Sequence, residues 1–94
     1  HEDCGAVKAS LGHGDPESPN LLALAERIRG SFYGIEWDPK NEEAVYKATI
    51  ANAKSSAASL LAQSKVIREA VLNGQVKIVV AYYSTETGEV KKVE

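Results

Sequence analysis

Residues 75–83, QVKIVVAYY, constrain the fold more than any other part of this 94-residue sequence. Successive side chains of a β-strand point to opposite faces, and the centre of this segment is apolar on both faces. Such a strand is typical of the interior of a sheet that helices cover on both sides. The following STETG predicts a turn, in which Gly88 tolerates positive φ, and EVKKVE predicts a short charged edge strand.

Two shorter helices are predicted in the first third of the chain. Residues 4–11 are rich in Ala, Lys and Leu, which favour a helix. Residues 12–20 predict a loop, because they combine glycine and proline with turn-prone polar residues. Residues 21 to about 32 have apolar side chains at helical spacing, and either Ser18 or Asn20 fits the N-cap.

The longest helix is predicted at residues 42–63, and a shorter helix follows it. An apolar stripe recurs along the long helix at steps of four and three residues. The stripe consists of Tyr46, Ile50, Ala53, Ala57 and Leu60. Ser64 fits the N-cap of the following helix, and Gly74, in an Asn-Gly pair, ends it.

Together these elements predict an α/β fold in which helices pack on a mostly parallel sheet. This chain would supply the helical C-terminal half, with one central strand and a short edge strand. One interior strand cannot form a sheet by itself, so its neighbours must come from elsewhere, most simply from sequence upstream of His1. We therefore expect residues 1–94 to be a single partial domain, and the absence of methionine agrees with that.

Charge and composition exclude several classes of partner. The formal net charge is −2, so no basic surface for nucleic acid is expected. No apolar run approaches the roughly 20 residues of a membrane-spanning helix. The single cysteine excludes an internal disulfide.

The residues with the most specific chemistry are His1 and Cys4, which two residues separate. This is near the shortest spacing at which two side chains reach one metal ion, and imidazole and thiolate both suit Zn²⁺. Zinc takes four protein ligands, or three and a water, so two ligands do not complete a site. Nearby candidates for further ligands are Asp3, His13, Asp15 and Glu17. Spacing alone favours a chance pair over a metal site, and a nucleophilic Cys4 would lack a suitably placed base.

The stretch HEDCGAVKASL at residues 1–11 resembles the second zinc motif of the β-class carbonic anhydrases. That motif is a glycine, a histidine, two variable residues and Cys-Gly, placed where a strand ends and a helix begins, and residues 1–5 match it from the histidine onward. Residues 41–93 resemble the closing region of the same family, with a long helix, a Ser-capped helix, an apolar strand and a Thr-Gly-x-Val turn. The matching positions, which we expect to be structural, are Asn52, Ser64, Gly74, Tyr83, Thr87, Gly88 and Val90.

The resemblance implies an enzyme that reversibly hydrates carbon dioxide to bicarbonate at a Zn²⁺ ion. It implies that His1 and Cys4 are two of the three protein ligands and that Gly5 lies near the metal, and we assign no catalytic residue. The family's other motif, Cys-x-Asp-x-Arg, is absent because the chain has no second cysteine. We therefore predict that these 94 residues alone are not an active hydratase.

Two alternatives to that function remain. One is a non-catalytic carbonic anhydrase-like fragment or interaction module, inactive alone, and the other keeps the zinc but acts on a CO₂-like thio compound. The loop aromatics Phe32, Tyr33 and Trp37 must be covered by a homo-oligomer, by the missing N-terminal half, or by both. Neither nucleic acid nor a membrane is an expected partner. The cytoplasm is the favoured compartment, with the periplasm as the alternative.

Overall fold

The structure, a computed structural model, describes residues 1–14 and 16–93. Within these residues the helices are α1 (Gly5–Leu11), α2 (Pro19–Arg29), α3 (Glu42–Gln63) and α4 (Lys65–Leu72). Two short strands, β1 (Ala81–Tyr83) and β2 (Val90–Lys92), pair as an antiparallel hairpin with Tyr82 opposite Lys91. The described chain is thus rich in helix, with one small sheet.

The last three helices begin at side-chain caps. Side-chain oxygens of Ser18, Asn41 and Ser64 accept hydrogen bonds from backbone N–H groups three residues later, at 3.5, 3.2 and 3.2 Å. Of the two caps predicted for α2, Ser18 is therefore the correct one. α2 ends at Arg29, earlier than predicted, because Gly30 follows and glycine is a poor helix former.

The core lies where α1 and α2 meet the first half of α3. Val7, Leu11, Ile28, Val45 and Ala48 form one buried cluster, in which each residue is at most 7% exposed. Val7 and Leu11 are four residues apart, so both fall on one face of α1. A helix of 7 residues is too short to be stable by itself, so this packing holds α1 in place.

The apolar stripe predicted along α3 is only partly buried. Tyr46 and Leu60 are 49% and 47% exposed. The buried face instead includes Val45, Ala48 and Thr49. Ala48 leaves room for a second helix to approach closely, whereas the large Tyr46 ring does not, so α1 packs on the face beside the predicted stripe.

The strand predicted at residues 75–83 is paired only over Ala81–Tyr83, and the mostly parallel sheet predicted around it is not found among the described residues. Ile78 and Val80 are half-buried while Val79 is 53% exposed, so the predicted alternation of faces is present. A strand needs hydrogen-bonded neighbours, and in the part of the chain that the structure describes only β2 provides one. The pairing is therefore short and antiparallel.

Large apolar side chains remain exposed around α4. Val66 and Leu72 of this helix are each 79% exposed, and Val76 just beyond it is 47% exposed. No helix within residues 1–14 and 16–93 has both the length and the apolar character needed to cross a membrane.

Candidate metal centre

His1 and Cys4 flank a turn at the start of the chain. Glu2 and Asp3 form this turn, and a tight turn keeps its flanking Cα atoms within about 7 Å. Asp3 has a φ of 56°, in the left-handed region that Asp tolerates better than most residues. The turn therefore brings the two predicted ligands to the same end of α1.

Cys4 immediately precedes α1, with a φ of −64° and a ψ of 117°. Its carbonyl oxygen accepts a helical hydrogen bond from Lys8 N–H at 3.0 Å, but its side chain makes no capping hydrogen bond. The thiol is free and half-buried against the core cluster. A Cβ added to Gly5 would meet no atom within 4 Å, so the space beside the cysteine is open. The Cys4 sulfur is thus available to a ligand.

The His1 ring is exposed and is oriented by its neighbour. Nδ1 lies 2.8 Å from the carbonyl oxygen of Glu2, where an Nδ1–H group donates. In that tautomer Nε2 carries the lone pair that binds a metal. Histidines that bind metals commonly donate their other ring N–H to a carbonyl oxygen in this way.

The Glu2 carboxylate is held by the turn between β1 and β2. Its Oε1 accepts hydrogen bonds from Glu86 N–H at 2.9 Å, Ser84 Oγ at 2.9 Å and Thr85 Oγ1 at 3.3 Å. These hydrogen bonds, led by that from the Glu86 backbone, lower the pKa of the Glu2 carboxyl from its ordinary value. The Glu2 N–H also donates to the Tyr83 carbonyl at 2.8 Å. The turn that carries the predicted ligands is therefore anchored to the hairpin.

An open cleft lies beside this turn, and its lining includes Glu2, Asp3, Lys8, Tyr46 and Tyr82. Asp3 forms an ion pair with Lys8. The Tyr46 and Tyr82 rings meet edge to face, with centroids 5.0 Å apart. Burial and then the negative charge of Glu2 raise the pKa of Tyr82. The cleft thus joins charged groups near α1 to an aromatic pair from α3 and β1.

The other candidate ligands do not complete a site. Asp3 is paired with Lys8, and His13 and Glu17 are exposed in the loop between α1 and α2. Asp15 lies outside the described residues. Among the residues that the structure describes, no group of three or more His, Cys, Asp or Glu side chains could hold a metal ion. One imidazole and one thiol fit Zn²⁺ in kind but supply only two of its four positions.

Arg29 has a structural role that the sequence does not reveal. Its guanidinium donates to the carbonyl oxygens of Ser10, Gly12 and Gly14 at 2.8, 3.2 and 3.1 Å. It also lies over the Trp37 ring, 5.8 Å from the centroid. These acceptors are backbone groups, which leave no side-chain signal in the sequence. Arg29 fixes the end of α1 opposite the predicted ligands.

Comparison with models of protein families identifies the family of this chain. The family model described as Carbonic anhydrase matches residues 1–90. The chain belongs to the carbonic anhydrase family. No curated protein and no solved structure gives a match. The family match covers both the turn that carries the two predicted ligands and most of the hairpin that anchors it.

Several positions that resemble the closing region of carbonic anhydrases have structural roles in this family member. Ser64 caps α4. Gly74 and Gly88 have φ values of 74° and 78°, which strain any residue with a Cβ. Tyr83 and Val90 are cross-strand partners in the hairpin. These five residues therefore have roles in the fold of this family member.

Proposed function

We propose that this chain supplies two of the three protein ligands in a zinc-dependent β-class carbonic anhydrase, which interconverts carbon dioxide and bicarbonate. His1 and Cys4 are these ligands, and Gly5 lies near the metal. The observation that carries the proposal is the turn between them. It presents an imidazole whose Nδ1 is already bonded and a thiol without a capping role, in a chain of this family.

The local structure prepares each ligand for this role. The hydrogen bond from His1 Nδ1–H to the Glu2 carbonyl orients the ring and makes Nε2 a stronger donor to a metal. Packing of α1 holds the backbone of Cys4, which directly precedes it. When bound, zinc would supply a Lewis acid that makes hydroxide available from water near neutral pH, an effect for which a carbonic anhydrase of a different, three-histidine class is the standard example. These residues hold and orient the ligand atoms, and we assign no proton transfer to them.

We further propose that the remaining ligands lie outside these 94 residues, in a segment that completes a mostly parallel sheet with residues 76–80. The chain has one cysteine, so it cannot contain the Cys-x-Asp-x-Arg motif. Val79 is 53% exposed in a segment that no strand pairs within residues 1–14 and 16–93. On this proposal residues 1–94 are part of a single domain.

Replacement of each ligand in the complete protein tests the zinc site. His1→Ala and Cys4→Ala should each lose bound zinc, measured by mass spectrometry of the metal, and CO₂ hydration, measured by stopped flow. His13→Ala, in the exposed loop, is the matched control and should retain both. Full zinc content and turnover in either ligand variant would overturn the assignment.

The isolated chain tests whether the site is complete. We expect no zinc-dependent CO₂ hydration by these 94 residues alone, and robust turnover would contradict the proposal. A Cys-x-Asp-x-Arg motif roughly 50–60 residues before His1, within an ordinary domain length, would support it. Absence of that motif would support a non-catalytic interaction module.

The substrate and assembly are part of the same proposal. Carbon dioxide and bicarbonate are the proposed substrates, and parallel assays with a CO₂-like thio compound distinguish the alternative.

Tyr33 is 89% exposed and α4 presents apolar side chains, which supports a homo-oligomer that sedimentation would detect. The cytoplasm is the proposed compartment, with the periplasm as the alternative.

A further inference from the structure

The Glu2 side chain, between the two proposed ligands, joins the start of the chain to the hairpin near its end. Its Oε1 accepts from Ser84 Oγ at 2.9 Å, Thr85 Oγ1 at 3.3 Å and Glu86 N–H at 2.9 Å. Ser84 Oγ itself accepts from Thr87 N–H at 3.2 Å, which leaves its proton directed at the carboxylate. Three donors from one turn therefore converge on a single carboxylate oxygen.

The Glu2 backbone extends this connection to the imidazole ring. Its N–H donates to the Tyr83 carbonyl at 2.8 Å, and its own carbonyl accepts from His1 Nδ1 at 2.8 Å. A continuous series of hydrogen bonds therefore runs from β1 through Glu2 to His1. Because both the side chain and the backbone of Glu2 are bound, a shift of this residue would also move the ring.

Asp3, the next residue, depends on the same support. Its φ of 56° is a conformation that persists only where neighbouring contacts fix it. Glu2 fixes one side of Asp3, and the ion pair with Lys8 fixes its carboxylate. Cys4 follows directly, so these contacts also determine where its sulfur lies relative to the ring of the first residue.

We infer that Glu2 is a positioning residue for the proposed zinc site, which anchors the turn at residues 1–4 to the turn at residues 84–86 and so sets the relation between the two ligands. The inference rests on the proposed function, because that function assigns the ligands. Contacts that orient metal ligands commonly contribute about 10-fold or more to metal affinity. Glu2 acts here through His1 and Cys4 rather than by touching the metal.

Co²⁺ binding in the complete protein tests the inference, because the visible absorption of Co²⁺ reports the geometry of its ligands. Glu2→Ala should weaken Co²⁺ binding about 10-fold and shift the visible bands. Glu2→Gln keeps an acceptor oxygen at the same reach, so it should restore part of the affinity. Glu89→Gln is the matched control on the same hairpin, since its carboxylate is not among the groups that bind Glu2, and it should behave as wild type.

A second pair of variants leaves the ligand turn untouched. Ser84→Ala and Thr85→Val remove hydroxyl donors to Glu2, and each should weaken Co²⁺ binding. The effects of Ser84→Ala and Glu2→Ala should be less than additive when combined, because both remove the same hydrogen bond. Circular dichroism shows whether Glu2→Ala folds. If it does not, Ser84→Ala and Thr85→Val still test the inference, because they leave residues 1–4 unchanged.

The outcomes separate this inference from the proposed function. If His1→Ala and Cys4→Ala abolish Co²⁺ binding while Glu2→Ala and Ser84→Ala retain the wild-type affinity and spectrum, the inference is wrong and the proposed function stands. If His1→Ala and Cys4→Ala leave Co²⁺ binding unchanged, the proposed function is wrong and the inference fails with it.

Discussion

Of the two residues between the proposed ligands, Asp3 is the one whose side chain must suit an unusual backbone conformation. Asp3 is the only non-glycine residue with positive φ among those described. A short polar side chain tolerates this left-handed conformation, whereas a β-branched side chain clashes with the neighbouring backbone. The identity of residue 3 therefore sets the strain in the turn at residues 1–4.

Asp3→Val should lower the free energy of unfolding by about 1–2 kcal/mol, because valine is strained at a φ of 56°. Asp3→Asn keeps the tolerance for this conformation and loses only an exposed ion pair with Lys8, so it should change stability by less than about 1 kcal/mol. Urea unfolding followed by circular dichroism measures both. Equal losses in the two variants would mean that the ion pair, rather than the backbone, determines the effect.

Tyr82 should ionise at higher pH than an ordinary phenol. Burial raises its pKa, helped by the negative charge of Glu2, by Tyr46 and by Asp3, although Lys91 lies opposite it across the hairpin. The fold therefore favours the neutral phenol. The resulting stabilisation is complete below the usual value of about pH 10 and is lost as the pH rises through the raised pKa.

Spectrophotometric titration of the phenols checks this expectation. Tyr82→Phe should remove from the titration curve a phenol ionisation whose midpoint lies above the ordinary value of about pH 10. Loss of an ordinary midpoint on Tyr82→Phe would contradict the predicted direction of the pKa shift.

At the scale of elements, Ser64 links two helices. Its N–H donates to the Leu60 carbonyl at the end of α3, and its Oγ accepts from Ile67 N–H at the start of α4. Arg68 of α4 returns a hydrogen bond to the Leu61 carbonyl at 2.9 Å. The sharp change of direction between α3 and α4 therefore depends on a few local contacts.

Ser64→Ala should lower the free energy of unfolding by about 1 kcal/mol, because the first turn of α4 loses its cap. Ser64→Asp retains an acceptor oxygen and should keep most of the stability. Ser56→Ala, at an exposed position within α3, is the matched control and should not destabilise, because alanine favours a helix more than serine does. Urea unfolding measures all three, and a neutral Ser64→Ala would contradict the role of the cap.

The same elements explain which parts of the fold the sequence could predict. The bounds of α3 and the cap at Ser64 follow from signals within a few residues, so both are confirmed. The buried face of α3 was displaced from the prediction, because periodicity alone does not determine which side another helix covers. The sheet predicted around residues 76–80 is not found among the described residues, because a strand pattern in the sequence does not specify its hydrogen-bonded neighbours.

At the scale of the whole molecule, the candidate site combines residues from both ends of the chain. Residue type and the family resemblance singled out His1 and Cys4 as candidate ligands, whereas their spacing alone favoured a chance pair, and the order of motifs predicted the family that residues 1–90 match. The role of Glu2 could not be predicted from the sequence, because its side-chain partners lie 82 to 84 residues away. The sequence around Glu2 does not indicate that its carboxylate binds the turn at residues 84–86.

The proposal that residues 76–80 belong to a larger sheet can be tested through the stability of the complete protein. If residues 76–80 form an interior strand of the complete protein, Val79→Asp buries an unpaired charge and should lower the free energy of unfolding by several kcal/mol. Val66→Asp on α4, at a position 79% exposed, is the matched control and should cost at most about 0.5 kcal/mol if it remains on the surface. Val79 is 53% exposed in this chain by itself, so equal small effects of the two changes in the complete protein would refute the interior strand. A large loss confined to Val79→Asp requires neighbouring strands, because nothing in the described chain buries that side chain fully.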